Sequence, residues 1–152
     1  MATEIERKFL VRGEGWRQAA PLEIRQGYLN RDKQRTVRVR ITGARAYLTV
    51  KGMPKGLARP EFEYEIPLAD AEQMLSLCEG PLLEKRRHVV NHAGTTWEVD
   101  EFLGENAGLI VAEVELEDER QSFERPDWLH TEVTDDPRYL NSNLSMHPYA
   151  RW

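Results

Sequence analysis

Cysteine and long apolar runs are scarce in this sequence, and each scarcity excludes a class of protein. The 152 residues include one cysteine, Cys78, so an internal disulfide is excluded and a reducing compartment is expected. No apolar run approaches the roughly 20 residues that span a bilayer, and no signal-peptide pattern leads the chain. We therefore expect a cytoplasmic protein without a membrane partner.

Excess positive charge is also lacking. The net charge of −5 argues against generic nucleic-acid binding, which rewards a basic surface. A hydrophobic content of 40% is too high for a disordered chain. The length suits one domain over residues 1–152, and no low-complexity tract, repeat or linker divides it.

Short segments of alternating apolar and polar residues fill most of the chain, with turn residues between them. Such evenly spaced runs predict a mainly β protein, with an antiparallel sheet or barrel and a few helices. The predicted strands are Thr3–Val11, Ile24–Asn30, Arg35–Thr42, Ala46–Gly52, Glu61–Pro67, Leu82–His92, Thr95–Phe102 and Ile110–Glu117.

Three helical segments are predicted, one between strands and two after the last strand. The first has an N-cap at Asp70, with Gln73 in the reciprocal capping-box position, and is stopped by Gly80–Pro81. The others are Arg120–Glu124, ended by a proline, and a short segment that starts at Pro137.

The opening strand, TEIERKF, carries three charges on one face. Successive side chains of a strand point to opposite faces, so Glu4, Glu6 and Lys8 lie together, and Ile5 and Phe9 lie opposite them. Other strands repeat the pattern, with one-sided polar sets Arg38 and Arg40; Thr49 and Lys51; Glu61, Glu63 and Glu65; Lys85 and Arg87; Glu98 and Asp100; and Glu113, Glu115 and Glu117.

Two architectures explain these charged faces. An open sheet covered on one side by helices would leave every charge solvated. A closed barrel of about eight strands would put the charges inside and the apolar faces outside, under the helices. The clustering of acids and bases on separate strands favours the barrel. Because unpaired buried charges are costly, its interior must be wet, internally paired or filled by a ligand that complements both signs of charge. A polyphosphate with Mg²⁺ or Mn²⁺ is such a ligand.

The order of the charged motifs resembles the CYTH family, the triphosphate tunnel metalloenzymes. EIERKF contains the family's ExExK motif, and RQGYL, RVR, TVK, EFEYEI, LEKRR, EVDEF and AEVELE follow in the family's order. The final TEVTDDPRYLN is similar to the tail of short bacterial members. The resemblance implies an eight-stranded antiparallel closed barrel and metal-dependent chemistry on triphosphates.

The resemblance also implies roles for individual residues. Lys8 and Tyr28 would position or deprotonate water, although Tyr28 as a packing residue remains an alternative. Glu65, Glu98 and Glu117 are left out because they lie near strand ends. The implied phosphate ligands are Lys8, Arg25, Arg38, Arg40, Lys51, Lys85 and Arg87. The implied metal-side carboxylates are Glu4, Glu6, Glu61, Glu63, Asp100, Glu113 and Glu115.

Inorganic triphosphate is the substrate that the sequence favours among those of the family. Few aromatic residues lie on the candidate inner faces, so little is available to stack on a base or a thiazolium ring. The alternatives are a thiamine triphosphatase, a nucleotide triphosphatase, a class IV adenylate cyclase or a polyphosphate-binding module without turnover. The oligomeric state is left open, a homodimer included.

Overall fold

The computed structural model describes residues 2–152, and antiparallel strands make up most of it. The strands are β1 (Thr3–Val11), β2 (Leu22–Asn30), β3 (Thr36–Thr42), β4 (Arg45–Lys51), β5 (Ala58–Ile66), β6 (Glu79–His92), β7 (Thr95–Phe102), β8 (Ile110–Glu115) and β9 (Leu129–Glu132). The α-helices are α1 (Leu68–Leu75) and α2 (Asn141–Leu144). Three 3₁₀ helices cover Gly104–Asn106, Pro137–Tyr139 and Tyr149–Arg151.

The first eight strands close into a barrel. Their order is β5-β4-β3-β2-β6-β7-β8-β1, and β1 also pairs with β5, which completes the ring. That last seam is short, running from Thr3 opposite Pro60 to Ile5 opposite Ala58. The predicted closed antiparallel barrel of eight strands is therefore confirmed. Strand β9, which was not predicted, lies beside the end of β1.

Side-chain alternation turns the apolar faces of the strands outward. Phe9, Trp97 and Val114 belong to one large cluster on the outside of β1, β7 and β8. Trp97 meets Trp128 edge-to-face with ring centroids 5.7 Å apart, and Phe123 meets it at 5.3 Å. The segment that carries these two covering aromatics is irregular, so the predicted helix Arg120–Glu124 is wrong. An irregular backbone lets Phe123 reach the barrel wall.

Helix α1 covers the opposite part of the wall. Its Ala71 and Leu75 pack on Val39 and Ile41 of β3. The helix starts before Asp70, because Pro67 already supplies an extended N-cap backbone (φ −59°, ψ 137°). No side chain caps it, so the predicted capping box is wrong.

The C-terminal stop of α1 was also predicted too late. The helix ends at Leu75, and Gly80–Pro81 lie inside β6. The φ of Gly80 is +69°, a value that favours glycine, so this residue shapes the start of the strand. No helix in residues 2–152 has the length and apolar character needed to cross a membrane.

Residues 133–145, which we call the C-terminal plug, pack on one end of the barrel. The side chain of Asp136 accepts a hydrogen bond from the backbone N–H of Arg138, which confirms a helical turn at Pro137. The apolar cluster at this end combines plug residues Val133, Tyr139 and Leu144 with Leu83, Phe102, Leu109 and Val111. The plug therefore belongs to the hydrophobic core.

Leu144→Ala tests that conclusion. Leu144 is fully buried, so truncation leaves a cavity and should lower the free energy of unfolding by about 2–5 kcal/mol in a denaturant titration. The control, Leu77→Ala, removes the same atoms from a side chain that is 73% exposed, and should change it by about 0.5 kcal/mol or less. Equal effects would show that the plug does not stabilise the barrel.

Candidate active site

The barrel encloses a charged cavity of about 200 Å³, which we call the tunnel. Its carboxylates are Glu4, Glu6, Glu61, Glu63, Glu98, Glu113 and Glu115. Its cations are Lys8, Arg38, Arg40, Lys51, Arg59 and Arg87. Tyr28, Thr36, Leu140, Asn141 and Ser142 complete the lining. Strand alternation brings most of the predicted residues together, because each strand contributes every second side chain.

Lys8 lies among acids from neighbouring strands. Its Nζ is 3.2 Å from Glu113 and 3.8 Å from Glu6. Burial alone would lower the Lys8 pKa, but the carboxylates of Glu113 and Glu6 outweigh burial and raise the pKa above its usual value. Lys8 therefore keeps its positive charge among these acids.

Lys51 holds a second group of acids. Its Nζ donates to both oxygens of Glu4, at 3.0 and 3.1 Å, and is 3.5 Å from Glu61. Burial raises the pKa of Glu4, but the Lys51 charge and the hydrogen bonds with Glu61 and Lys51 together outweigh burial, so the net pKa is lowered. The pKa of Glu61 is raised to about 7, first by burial and then by its contact with Glu4.

Negative charge is in excess on this side of the tunnel. Burial, followed by the Glu113 carboxylate, raises the pKa of Glu6 to about 8. Burial and Glu4 likewise raise the pKa of Glu115. Acids that repel one another in this way attract a cation.

This donor set fits a hard divalent cation. The acidic side chains of the tunnel are all glutamates, and Mg²⁺ and Mn²⁺ prefer carboxylate oxygens as ligands. No three acidic, histidine or cysteine side chains in residues 2–152 form an assembled metal cluster. Salt bridges to Lys8, Lys51 and Arg38 now hold Glu113, Glu4 and Glu63, so these acids must turn to bind a metal.

Arginines form the opposite, cationic side. Arg38 Nη2 donates to Thr49 Oγ1 at 3.2 Å and to Glu63 at 3.3 Å, but its buried Nε has no partner within residues 2–152. Arg40 Nε donates to Gln26 Oε1 at 2.8 Å. Burial, and then the Arg38 and Arg87 charges, lower the Arg40 pKa to about 9. Crowded guanidiniums with an unused donor are suited to binding an anion.

A buried trio supports this cationic side. Asp100 accepts from Arg87 Nε at 2.8 Å and Nη2 at 3.0 Å, and its Oδ2 lies 2.6 Å from Lys85 Nζ. Burial raises the Asp100 pKa, but Arg87 and Lys85 more than offset it and lower the pKa to about 2. Burial lowers the Lys85 pKa to about 7, although Asp100 opposes that shift.

Lys85 and Asp100 do not line the tunnel, although both were predicted site residues. Lys85 is 0% exposed and Asp100 1%, and they are occupied by each other and by Arg87. In this structure Asp100 holds Lys85 and Arg87 in place. This position differs from the predicted one, in which Asp100 was a carboxylate on the metal side of the tunnel.

Arg25 lies outside the barrel, so its predicted place in the tunnel is wrong. Its Nη2 donates to Glu72 of α1 at 2.7 Å. The inward residues of β2 are Gln26, which is fully buried, and Tyr28, which is 4% exposed. Arg25 and Tyr28 are three positions apart, so their side chains point to opposite faces of the strand. This spacing, visible in the sequence, already indicated that both residues could not line the tunnel.

Tyr28 does line the tunnel. Its hydroxyl oxygen accepts a long hydrogen bond of 3.4 Å from Gln26 Nε2. Within residues 2–152, Lys8 and Tyr28 form no hydrogen bond with each other. Gln26 thus joins Tyr28 to Arg40, a connection that the sequence analysis missed.

Other lining residues were missed for two reasons. Glu98 was expected to be solvated, but it lines the tunnel and lies 3.3 Å from Arg87 Nη1 while its side chain stays 42% exposed. Arg59 extends the inward face of β5 beyond the predicted strand start. Asn141 and Ser142 come from the plug, where strand alternation gives no signal.

Comparisons with known proteins agree with this geometry. The family model described as CYTH domain matches residues 2–145. An inorganic triphosphatase of Acetivibrio thermocellus is 53% identical over 154 residues, covering 100% of this chain and 99% of the relative. An inorganic triphosphatase of Nitrosomonas europaea is 39% identical over 150 residues, covering 95% and 97%.

A solved structure gives the same result. The crystal structure of an inorganic triphosphatase superposes with a TM-score of 0.67 at 35% identity, covering 96% of each chain. A closed antiparallel barrel with a charged tunnel is the fold of the triphosphate tunnel proteins. This chain belongs to the CYTH domain family.

Glu6→Gln tests the excess of negative charge. The folded protein raises the Glu6 pKa from 4.5 to about 8, so the folded state retains a proton that the unfolded chain releases. This stability is complete below the unfolded pKa and is lost as pH rises through the folded pKa. In metal-free protein, Glu6→Gln should therefore raise Tm over wild type more at about pH 9 than at about pH 5.

The matched control for this melt is Glu117→Gln, which makes the same change at an exposed carboxylate. Its Tm difference from wild type should not grow with pH. A Glu6→Gln difference that is flat between the two pH values would contradict the crowding of acids.

Proposed function

We propose that this protein is a metal-dependent inorganic triphosphatase, which uses water to hydrolyse tripolyphosphate to pyrophosphate and phosphate. The observation that carries the proposal is a cavity inside a closed barrel, with carboxylates on one side and arginines on the other. A metal–polyphosphate complex has the complementary division of charge. The relatives named as inorganic triphosphatases, which match nearly the full chain, support the same reaction.

The cationic side would bind and orient the phosphates. Arg38, Arg40 and Arg87 are held from β3 and β6, and guanidiniums form paired hydrogen bonds with phosphate oxygens. Asp100 and Gln26 fix the directions of two of these guanidiniums before substrate binds. Preorganised charges of this kind stabilise the transferring phosphoryl group without reorganisation during the reaction.

The acidic side would hold the metal. Its residues are Glu4, Glu6, Glu61, Glu63, Glu113 and Glu115, and the specific ion we propose is Mg²⁺ or Mn²⁺. When bound, such a cation neutralises phosphoryl charge and makes water easier to deprotonate. Lys51 and Lys8, which now pair with Glu4 and Glu113, would turn toward phosphate as these acids turn toward the metal.

Lys8 and Tyr28 would act at the reacting phosphate. Lys8 keeps its proton between Glu6 and Glu113, and so contributes positive charge to the transferring group. The Tyr28 oxygen, oriented by Gln26, would align the attacking water. In the packing alternative, Tyr28 only fills space, and Tyr28→Phe would leave kcat unchanged.

The lining favours a substrate without an organic group. Among the described residues that line the tunnel, Tyr28 is the one aromatic side chain, so stacking on a base or a thiazolium ring has little support. Thiamine triphosphatase, nucleotide triphosphatase and adenylate cyclase are therefore weaker alternatives. A binding module would not need so many metal-side carboxylates.

Substrate choice tests the function. With Mg²⁺ or Mn²⁺, kcat/KM for tripolyphosphate should exceed that for ATP by at least about tenfold, about 1.4 kcal/mol in transition-state binding. Phosphate release should be measured with tripolyphosphate, ATP and thiamine triphosphate as substrates. Reactions that contain EDTA, which removes the metal, serve as the control without activity. Equal turnover of ATP, or full activity in EDTA, would overturn the proposal.

Two arginines test the binding side. Arg40→Ala removes a buried tunnel cation and should lower kcat/KM for tripolyphosphate by about 10²-fold or more. Arg25→Ala, the matched control, removes an arginine that contacts Glu72 outside the barrel, and should keep the wild-type rate. A larger loss of kcat/KM in Arg25→Ala than in Arg40→Ala would refute the assignment of the tunnel as the phosphate site.

A further inference from the structure

Asn141, the first residue of α2, brings the C-terminal plug into the tunnel. It lines the cavity together with its neighbours Leu140 and Ser142. The side chain also reaches the buried trio behind the cationic wall, where Lys85 Nζ donates to Asn141 Oδ1 at 2.8 Å. Asn141 is thus in contact with both the tunnel and its support.

This contact fixes the orientation of the Asn141 amide. An ammonium group has donors and no acceptor, so the oxygen of the amide must face Lys85. The Nδ2 group then occupies the other corner of the planar amide. Within residues 2–152, Nδ2 has no hydrogen-bond acceptor. The tunnel lining therefore includes, beside its many charged side chains, the Asn141 amide, whose N–H donors are oriented but form no hydrogen bond within the described part of the chain.

The plug holds Asn141 in place through further bonds. Arg31 Nη1 donates to the backbone oxygen of Ser142 and to Ser145 Oγ, each at 2.7 Å. Leu144 is buried in the end cluster. Lys85 is itself fixed by Asp100 at 2.6 Å. The amide is therefore preorganised from both sides.

We infer that Asn141 is a substrate-positioning residue, whose Nδ2 donates a hydrogen bond to a phosphate oxygen of tripolyphosphate. The inference rests on the proposed function and deepens it. The amide adds a neutral donor to the cations of the tunnel, at a position that the plug and Lys85 fix.

Asn141→Asp separates this role from a purely structural one. Aspartate keeps an oxygen for Lys85 and the shape of the side chain, so a residue that only holds Lys85 would tolerate the change. It replaces the donor with a carboxylate that repels phosphate. We expect KM for tripolyphosphate to rise by at least about tenfold, with a smaller change in kcat.

The matched control is Asn143→Asp in the same helix. Asn143 does not line the tunnel, and its Nδ2 donates to the backbone oxygen of Pro137 at 2.7 Å. The control therefore loses one amide donor and gains one charge, as the test variant does, and KM should stay at the wild-type value. A thermal melt checks that each variant folds. Should Asn141→Asp not fold, Asn141→Ala replaces it, with a smaller rise in KM because the donor is lost but no carboxylate repels the phosphate.

The outcomes distinguish the inference from the proposed function. An unchanged KM in Asn141→Asp overturns the inference. The proposed function still stands in that case if the wild-type protein hydrolyses tripolyphosphate. An equal rise in Asn143→Asp overturns it too, because added charge alone would then account for the effect. A wild-type protein that does not hydrolyse tripolyphosphate with Mg²⁺ or Mn²⁺ overturns the function itself.

Discussion

Charge balance inside a closed barrel is the constraint on which this structure depends. Buried charges are stable only when opposite charges or bound ions compensate them. Here Asp100 compensates Lys85 and Arg87, and Glu113 compensates Lys8. Because the inside is polar, the apolar faces of the strands must turn outward. Helix α1, the aromatic segment after β8 and the plug are needed to keep water from those faces.

Much of the barrel could be predicted because strand alternation is a local property of the sequence. The bounds of β1 and β7 were predicted to the residue, and the inward faces of five other strands followed from the same period. Errors arose where a nonlocal contact decides the conformation. The segment Arg120–Glu124 has helical composition, but Phe123 within it packs against Trp97 of the barrel wall. Strand β9 exists because β1 offers it an edge.

The tunnel was predictable in its charges but less so in their connections. Alternation places Arg87 and Asp100 on inward faces, but it does not indicate that they bind each other. Gln26 carries no charge and was overlooked, although it has the same parity as Tyr28. Asn141 could not be found from the strands, since a separate part of the chain brings it to the tunnel. Compensation between buried groups depends on distances that a sequence period does not specify.

The position of β1 has a consequence for synthesis of the protein. This strand lies between β5 and β8, so Thr3 pairs with Pro60, and Lys8 pairs with Glu113. Contacts between residues so distant in sequence make folding slow, because a long loop must be ordered before they form. While the ribosome is still adding residues before β8, β1 has no partner on that side and its hydrogen-bonding groups are exposed. The ring can close only after most of the chain has emerged, so the nascent protein must avoid pairing with other chains until then.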